Sequence, residues 1–71
     1  MVGIYDRIKK LSEERGLSIA ALEKLSGLGN GTIGGWRQSS PTLESLERIS
    51  VVLGIPVSQI LEKENEDKEE G

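Results

Sequence analysis

Apolar residues in the first segment fall at Ile4, Tyr5, Ile8 and Leu11. This stripe returns every three to four residues and predicts a helix over about 3–15. Arg7, Lys9, Lys10, Glu13, Glu14 and Arg15 fill the remaining arc, and Gly16 is placed to end the helix in the left-handed conformation that glycine tolerates. Ser18 then offers an N-cap to a second helix at about 19–26, with Leu17 just before it as a staple residue. Ala21 stands where a capping box would need a glutamate. Ala21, Leu22 and Leu25 form the apolar face of this helix, Glu23 and Lys24 point outward, and Gly27 stops it.

The next stretch, Gly27-Leu28-Gly29-Asn30-Gly31-Thr32-Ile33-Gly34-Gly35-Trp36, pits propensity against pattern. Each glycine inside a helix costs roughly 0.8–1 kcal/mol relative to alanine, which argues for a loop. Leu28, Ile33 and Trp36 are the large apolar groups, and Ile33 and Trp36 form an i, i+3 pair. That spacing predicts a short helix at about 30–37, anchored by packing. After the polar link Gln38-Ser39-Ser40-Pro41, Thr42 caps a fourth helix whose buried face is Leu43, Leu46, Ile49, Val52 and Leu53, and Gly54 ends it. Pro56 suits the first position of a fifth helix with Val57, Ile60 and Leu61 on its apolar side. Strand alternation is nowhere sustained and no segment repeats. The expected architecture is all-α: a compact five-helix bundle over residues 1–61.

Composition narrows the chemistry. The 71 residues include no cysteine, histidine or phenylalanine. Disulfides and cysteine- or histidine-based metal sites are excluded, and the commonest general base is missing. Asp67 and its glutamate neighbours do not follow a calcium-loop spacing. An enzyme is not expected, and no cofactor is. No apolar run approaches the roughly 20 residues that cross a membrane, and the opening Met1-Val2-Gly3-Ile4-Tyr5-Asp6-Arg7 does not read as a signal peptide. A soluble cytoplasmic protein is the expectation.

The formal net charge of -3 is unevenly spread. Residues 1–61 hold seven basic and six acidic side chains, a net of +1, whereas residues 62–71 hold two basic and six acidic, a net of -4. The last ten residues are expected to form an acidic, disordered tail that aids solubility, repels nonspecific DNA or marks a truncated linker to an effector domain. The acidity therefore says little against an anionic partner.

Two short helices, 19–26 and 30–37, joined by a tight turn at Gly27 and flanked by supporting helices, make helix-turn-helix geometry, in which the second helix enters the DNA major groove. The chain resembles the lambda-repressor/Cro-like helix-turn-helix family over residues 4–61. Ser18 opens helix 2, Leu22 lies inside it, Gly27-Leu28 make the turn, Thr32-Ile33 follow, and Trp36 stands where the family has a large apolar residue. The run Pro41-Thr42-Leu43-Glu44-Ser45-Leu46-Glu47-Arg48-Ile49, then Leu53-Gly54-Ile55, looks like the family's fourth helix and its exit. The resemblance implies a DNA-binding transcriptional regulator, or the DNA-binding domain of one, on double-stranded DNA and commonly as a homodimer on a palindromic operator. Ile55, Val57, Ile60 and Leu61 are the candidate contacts for such a dimer, although they also suit the core.

On this resemblance the base-facing positions are Asn30, Gly31, Gly34 and Gly35, three of them glycine. Direct readout needs side chains that reach base edges. Asn30 suits adenine or a local cap, and Thr32 offers a hydroxyl or methyl. Arg37 and Gln38 lie at the helix end, within range of phosphate or a flanking base. Lys24 and Ser39 flank the backbone, and Ser18 completes the set. The family often has glutamine where Ile19 stands, and a small residue where Glu23 stands, so the glutamate must lean outward or the helices cross more widely. The start of helix 3 would offer free backbone N–H groups to a phosphate. Trp36 belongs to the apolar register and is assigned to the core rather than to base stacking. Gly34-Gly35 serve a crowded interface or mark lost contact residues. Weak, salt-sensitive DNA binding with limited base discrimination is the expectation. The alternative is a protein-interaction or antitoxin-like module that keeps the fold with little DNA binding.

Overall fold

In the computed structural model, which describes residues 3–61, the first stripe folds as α1, Ile4–Glu13. It is shorter than the 3–15 expected. Past Glu13 the chain turns instead of continuing, with the Leu17 N–H donating to the Ser12 carbonyl at 2.9 Å. Ile8 and Leu11 are buried, and so is Ser12, whose hydroxyl donates to the Lys9 carbonyl at 2.9 Å. The expected acidic tail, 62–71, lies outside the described residues.

The second helix, α2, spans Ile19–Ser26 as predicted. The Ser18 hydroxyl accepts from the Ala21 N–H at 3.1 Å, satisfying one of the unpaired donors of the first turn. Its buried face is rotated from the expected one. Leu25 is 61% exposed, while Leu22, Glu23 and Ser26 are buried. Ser26 sits four residues after Leu22, so it falls on the same side of the helix, whereas Leu25 is turned towards solvent.

The prediction of an α-helix over 30–37 fails. Among the described residues there are four α-helices and one 3₁₀ turn, Gly34–Arg37, preceded by a non-helical turn. The cause is local. Gly31 has φ +87°, which no α-helix accommodates, and Trp36 N–H donates to the Ile33 carbonyl at 3.0 Å in the tighter i, i+3 pattern. In a 3₁₀ turn residues i and i+3 eclipse, so Ile33 and Trp36 still face inward together. Both are buried. Burying one such side chain stabilises by about 1.5–3 kcal/mol, so the pair anchors the segment without an α-helix.

The third helix, α3, spans Leu43–Leu53 and is capped by Thr42, whose Oγ1 accepts from the Ser45 N–H at 3.1 Å. Leu46, Ile49 and Leu53 are buried and Val52 packs on the core's edge, but Leu43, expected on the inner face, is 63% exposed. The last helix, α4, is Val57–Leu61. Pro56 stands one place before its first residue, where its carbonyl accepts from the Gln59 N–H at 3.0 Å and the Ile60 N–H at 3.3 Å. Of the residues suggested for a dimer contact, Ile60 is fully buried and Ile55 and Val57 pack against the core, leaving only Leu61 substantially exposed at 52%.

One cluster holds the domain: Ile8, Leu11, Leu22, Ile33, Trp36, Leu46, Ile49, Leu53 and Ile60. α2 packs on α3, and α1 packs on both α4 and the 3₁₀ turn. No helix among the described residues is long and apolar enough to cross a membrane.

Candidate nucleic-acid interface

The turn between α2 and residues 30–37, the candidate reading segment, is set by Gly27. It takes φ +74°, the Leu28 N–H donates back to the Glu23 carbonyl at 2.8 Å, and Leu28 then reaches the core's edge. A β-carbon on Gly27 would meet Arg48 Nη1 at 3.0 Å. The same nitrogen lies 3.5 Å from the Ser26 carbonyl, and the other end of the guanidinium pairs with Glu44 at 3.1 Å. α3 thus presses directly on the corner from which the reading segment departs.

Glu23 overturns the expectation that it leans outward. The side chain is buried, 4% exposed, and its carboxylate accepts from the Gly31 N–H at 3.1 Å and the Ile33 N–H at 2.8 Å. Two backbone donors expected to be free for a phosphate are therefore already engaged by an internal carboxylate. A buried carboxylate is tolerated only when hydrogen-bonded, and these two N–H groups supply that partnership. Nothing local in the sequence signals the contact; the hint is an acidic residue at a helix crossing, facing a glycine-rich segment with no cap of its own.

With Ile33 and Trp36 turned in, the segment's outer side carries Asn30, Gly31 and Gly35, all exposed, with Gly34 and Thr32 half-buried. Thr32 is drawn back: its Oγ1 lies 3.3 Å from where a β-carbon on Gly29 would stand. The suggested crowding at Gly34 and Gly35 is absent within the domain. A β-carbon on Gly35 would meet nothing within 4 Å, and one on Gly34 only the tip of Arg37 at 3.9 Å.

The flanking candidates divide. Lys24 and Asn30 share the wall of an open groove of about 300 Å³ with Ala20, Glu23 and Leu28. Arg37 is exposed but steered: its guanidinium stacks over the Tyr5 ring at 4.8 Å and its Nε donates to the Gly34 carbonyl at 3.3 Å. The Ser39 hydroxyl donates to the Gly35 carbonyl at 3.1 Å, and the Gln38 N–H donates to that same oxygen at 3.1 Å. Ser18 sits at the far end of α2, engaged as its cap. Ile19 is half-buried against the core. The structure so groups Lys24 with Asn30 and sets Arg37, Gln38 and Ser39 at the segment's exit.

The fold and this corner have known counterparts. A family model described as the Cro/C1-type HTH DNA-binding domain matches residues 7–66. The HTH-type transcriptional regulator SinR of Bacillus subtilis (strain 168) is 28% identical over 71 aligned residues, covering 96% of this chain and 64% of that protein. The chain thus spans somewhat under two thirds of that relative's length. A crystal structure of SinR, the master regulator for biofilm formation, in complex with DNA is similar at 29% identity and a TM-score of 0.76, covering 83% of this chain and 98% of that one. The SinR protein/SinI protein complex is similar at 29% identity and a TM-score of 0.80, covering 89% of this chain and 64% of the other. With the matched model spanning most of the chain and the helix-turn-helix corner in place, this protein belongs to the Cro/C1-type helix-turn-helix DNA-binding domain family.

Proposed function

We propose that the domain serves a cytoplasmic transcriptional regulator by setting residues 30–37 into the major groove of double-stranded DNA, with weak direct base readout. The observation that supports this reading is the division of the segment into two sides: Ile33 and Trp36 buried, Asn30, Gly31 and Gly35 exposed. Asn30 is the base-reading side chain, with Thr32 secondary. Gly31, Gly34 and Gly35 bring backbone close to the groove but discriminate little. Lys24, Arg37, Gln38 and Ser39 lie at the phosphate margins, and Ser18 acts through the end of α2. The reading includes a homodimer on a two-fold symmetric site, with half-sites about one helical turn apart. The resemblance of the solved SinR–DNA complex supports DNA as the partner.

A second reading, binding of a protein partner, is favoured by the scarcity of side chains on the reading surface and by the similarity to the SinR–SinI complex. One experiment separates the two. NMR shift mapping with mixed duplex DNA, at low and then physiological salt, is expected to move the amides of Asn30, Thr32, Gly34, Gly35 and Arg37, with the shifts shrinking as salt rises. A folded sample that shows no shifts even at low salt overturns the DNA reading and puts the protein partner first.

A further inference from the structure

Glu23 holds both the turn after α2 and the reading segment beyond it. Its backbone carbonyl accepts from the Leu28 N–H at 2.8 Å, and its carboxylate accepts from Gly31 at 3.1 Å and Ile33 at 2.8 Å, one backbone N–H to each oxygen. Between these anchors the chain makes its apex at Gly29 and Asn30, with the Thr32 N–H donating to the Gly29 carbonyl at 3.1 Å. No side chain caps the 3₁₀ turn at its start, and four of the residues between 29 and 35 are glycine, the residue with the most freedom to lose. The ordering agent is therefore supplied from α2. A carboxylate suits the task because both oxygens accept, so the N–H groups of Gly31 and Ile33, two residues apart, are held by one rigid fork.

We infer that Glu23 is the positioning residue of the DNA interface: it touches no DNA, and it sets where Asn30 and Thr32 meet the groove by fixing the path of Gly29–Ile33. This rests on the reading of that segment as the DNA-facing surface. Glu23 contributes to affinity by keeping the binding-competent conformation populated, because an interface formed only a fraction of the time binds more weakly by that fraction. Glutamine at this position has one acceptor oxygen and one donor NH₂, so it satisfies one of the two N–H groups and opposes the other. Alanine satisfies neither.

The test uses the full 71-residue chain as wild type, Glu23→Gln and Glu23→Ala, with amide hydrogen exchange and duplex affinity measured across a salt series. In Glu23→Gln, exchange at the Gly31 and Ile33 amides is expected to quicken by about tenfold or more, the scale of one lost charge-assisted hydrogen bond, while Leu22 and Ile49 amides keep their protection. DNA affinity is expected to fall by about threefold to tenfold as the competent path becomes only partly populated, with the slope of log K against log salt unchanged, because no phosphate contact is lost. Should Glu23→Ala unfold the chain, Glu23→Gln carries the test alone. Unchanged exchange at both amides in Glu23→Gln overturns the tie itself. Quickened exchange with unchanged or raised affinity overturns the positioning role, and a fall in affinity with an altered salt slope assigns Glu23 a direct electrostatic effect instead. A wild-type chain that binds no duplex overturns the DNA reading, and this role with it, whatever the variants do.

Discussion

The two members of the helix-turn-helix are held in different ways. α2 contains its own instructions: Ser18 at one end accepts the Ala21 N–H, Gly27 at the other takes the left-handed turn, and Leu22 between them is fully buried. The reading segment contains few. It is organised by two side chains driven into a core built by other elements, Ile33 and Trp36, and by a carboxylate that belongs to α2. A helix with caps and a stripe is specified within one or two turns of chain. A glycine-rich turn is specified only once its neighbours are in place. In this domain the second kind of element carries the residues proposed to meet DNA, so the interface inherits its order from the scaffold rather than from its own sequence.

Removing the scaffold's hold on the reading segment gives the largest expected effect. Trp36→Ala deletes the buried anchor of the 3₁₀ turn and is expected to destabilise the domain by about 3–5 kcal/mol in urea unfolding. A loss under about 1 kcal/mol would break the comparison, because the segment would then be holding itself.

The corner itself is next. Gly27→Ala forces a side chain into φ +74° and sets its β-carbon 3.0 Å from Arg48 Nη1. The left-handed conformation costs about 1–2 kcal/mol for a residue with a β-carbon, and thermal unfolding should show a loss of that size. The guanidinium is the flexible end of a long side chain and is expected to move aside, so the backbone conformation dominates the loss.

The smallest effect has the opposite sign and sharpens the contrast within the reading segment. Gly35 has no positive φ and nothing within 4 Å of its missing β-carbon. Gly35→Ala is expected to stabilise the fold by about 0.4–1 kcal/mol, chiefly by restricting the unfolded chain, and a rise in Tm checks it. Gly31, at φ +87°, should not tolerate the same change. One glycine in the turn is then required by the fold, while another stands at a proposed reading position without a side chain.

How legible each feature was follows the same division. The boundaries of α2, the Thr42 cap of α3 and the terminating Gly54 were readable because each signal acts on a neighbour no more than a few residues away. The pairing of Ile33 with Trp36 was readable as a spacing, and it led to the right burial with the wrong helix type, since an i, i+3 pair suits both an α-helix and a 3₁₀ turn. Leu25 and Leu43 looked like members of apolar stripes yet lie exposed, because a stripe wider than the contact leaves its edge in solvent. At the candidate interface, the resemblance to the family implied outward positions for Asn30, Gly31, Gly34 and Gly35, and Asn30, Gly31 and Gly35 are exposed while Gly34 is half-buried. The stacking of Arg37 on Tyr5 was not legible, for it joins residues far apart in the chain through the packing of α1 beside the 3₁₀ turn.

By itself the sequence determined an all-helical domain, most of its helix ends and the inward direction of its main apolar residues. These rest on local backbone chemistry and on a periodicity that any neighbouring surface would read alike. Only the tertiary structure decided that Glu23 turns inward, that the segment after Gly27 is a turn followed by a 3₁₀ element, and that two of its N–H groups are occupied. The partners of the Glu23 carboxylate stand eight and ten residues further on. A bond of that reach exists only when two elements cross closely enough to shut out water, and the distance of that crossing is set by the core as a whole.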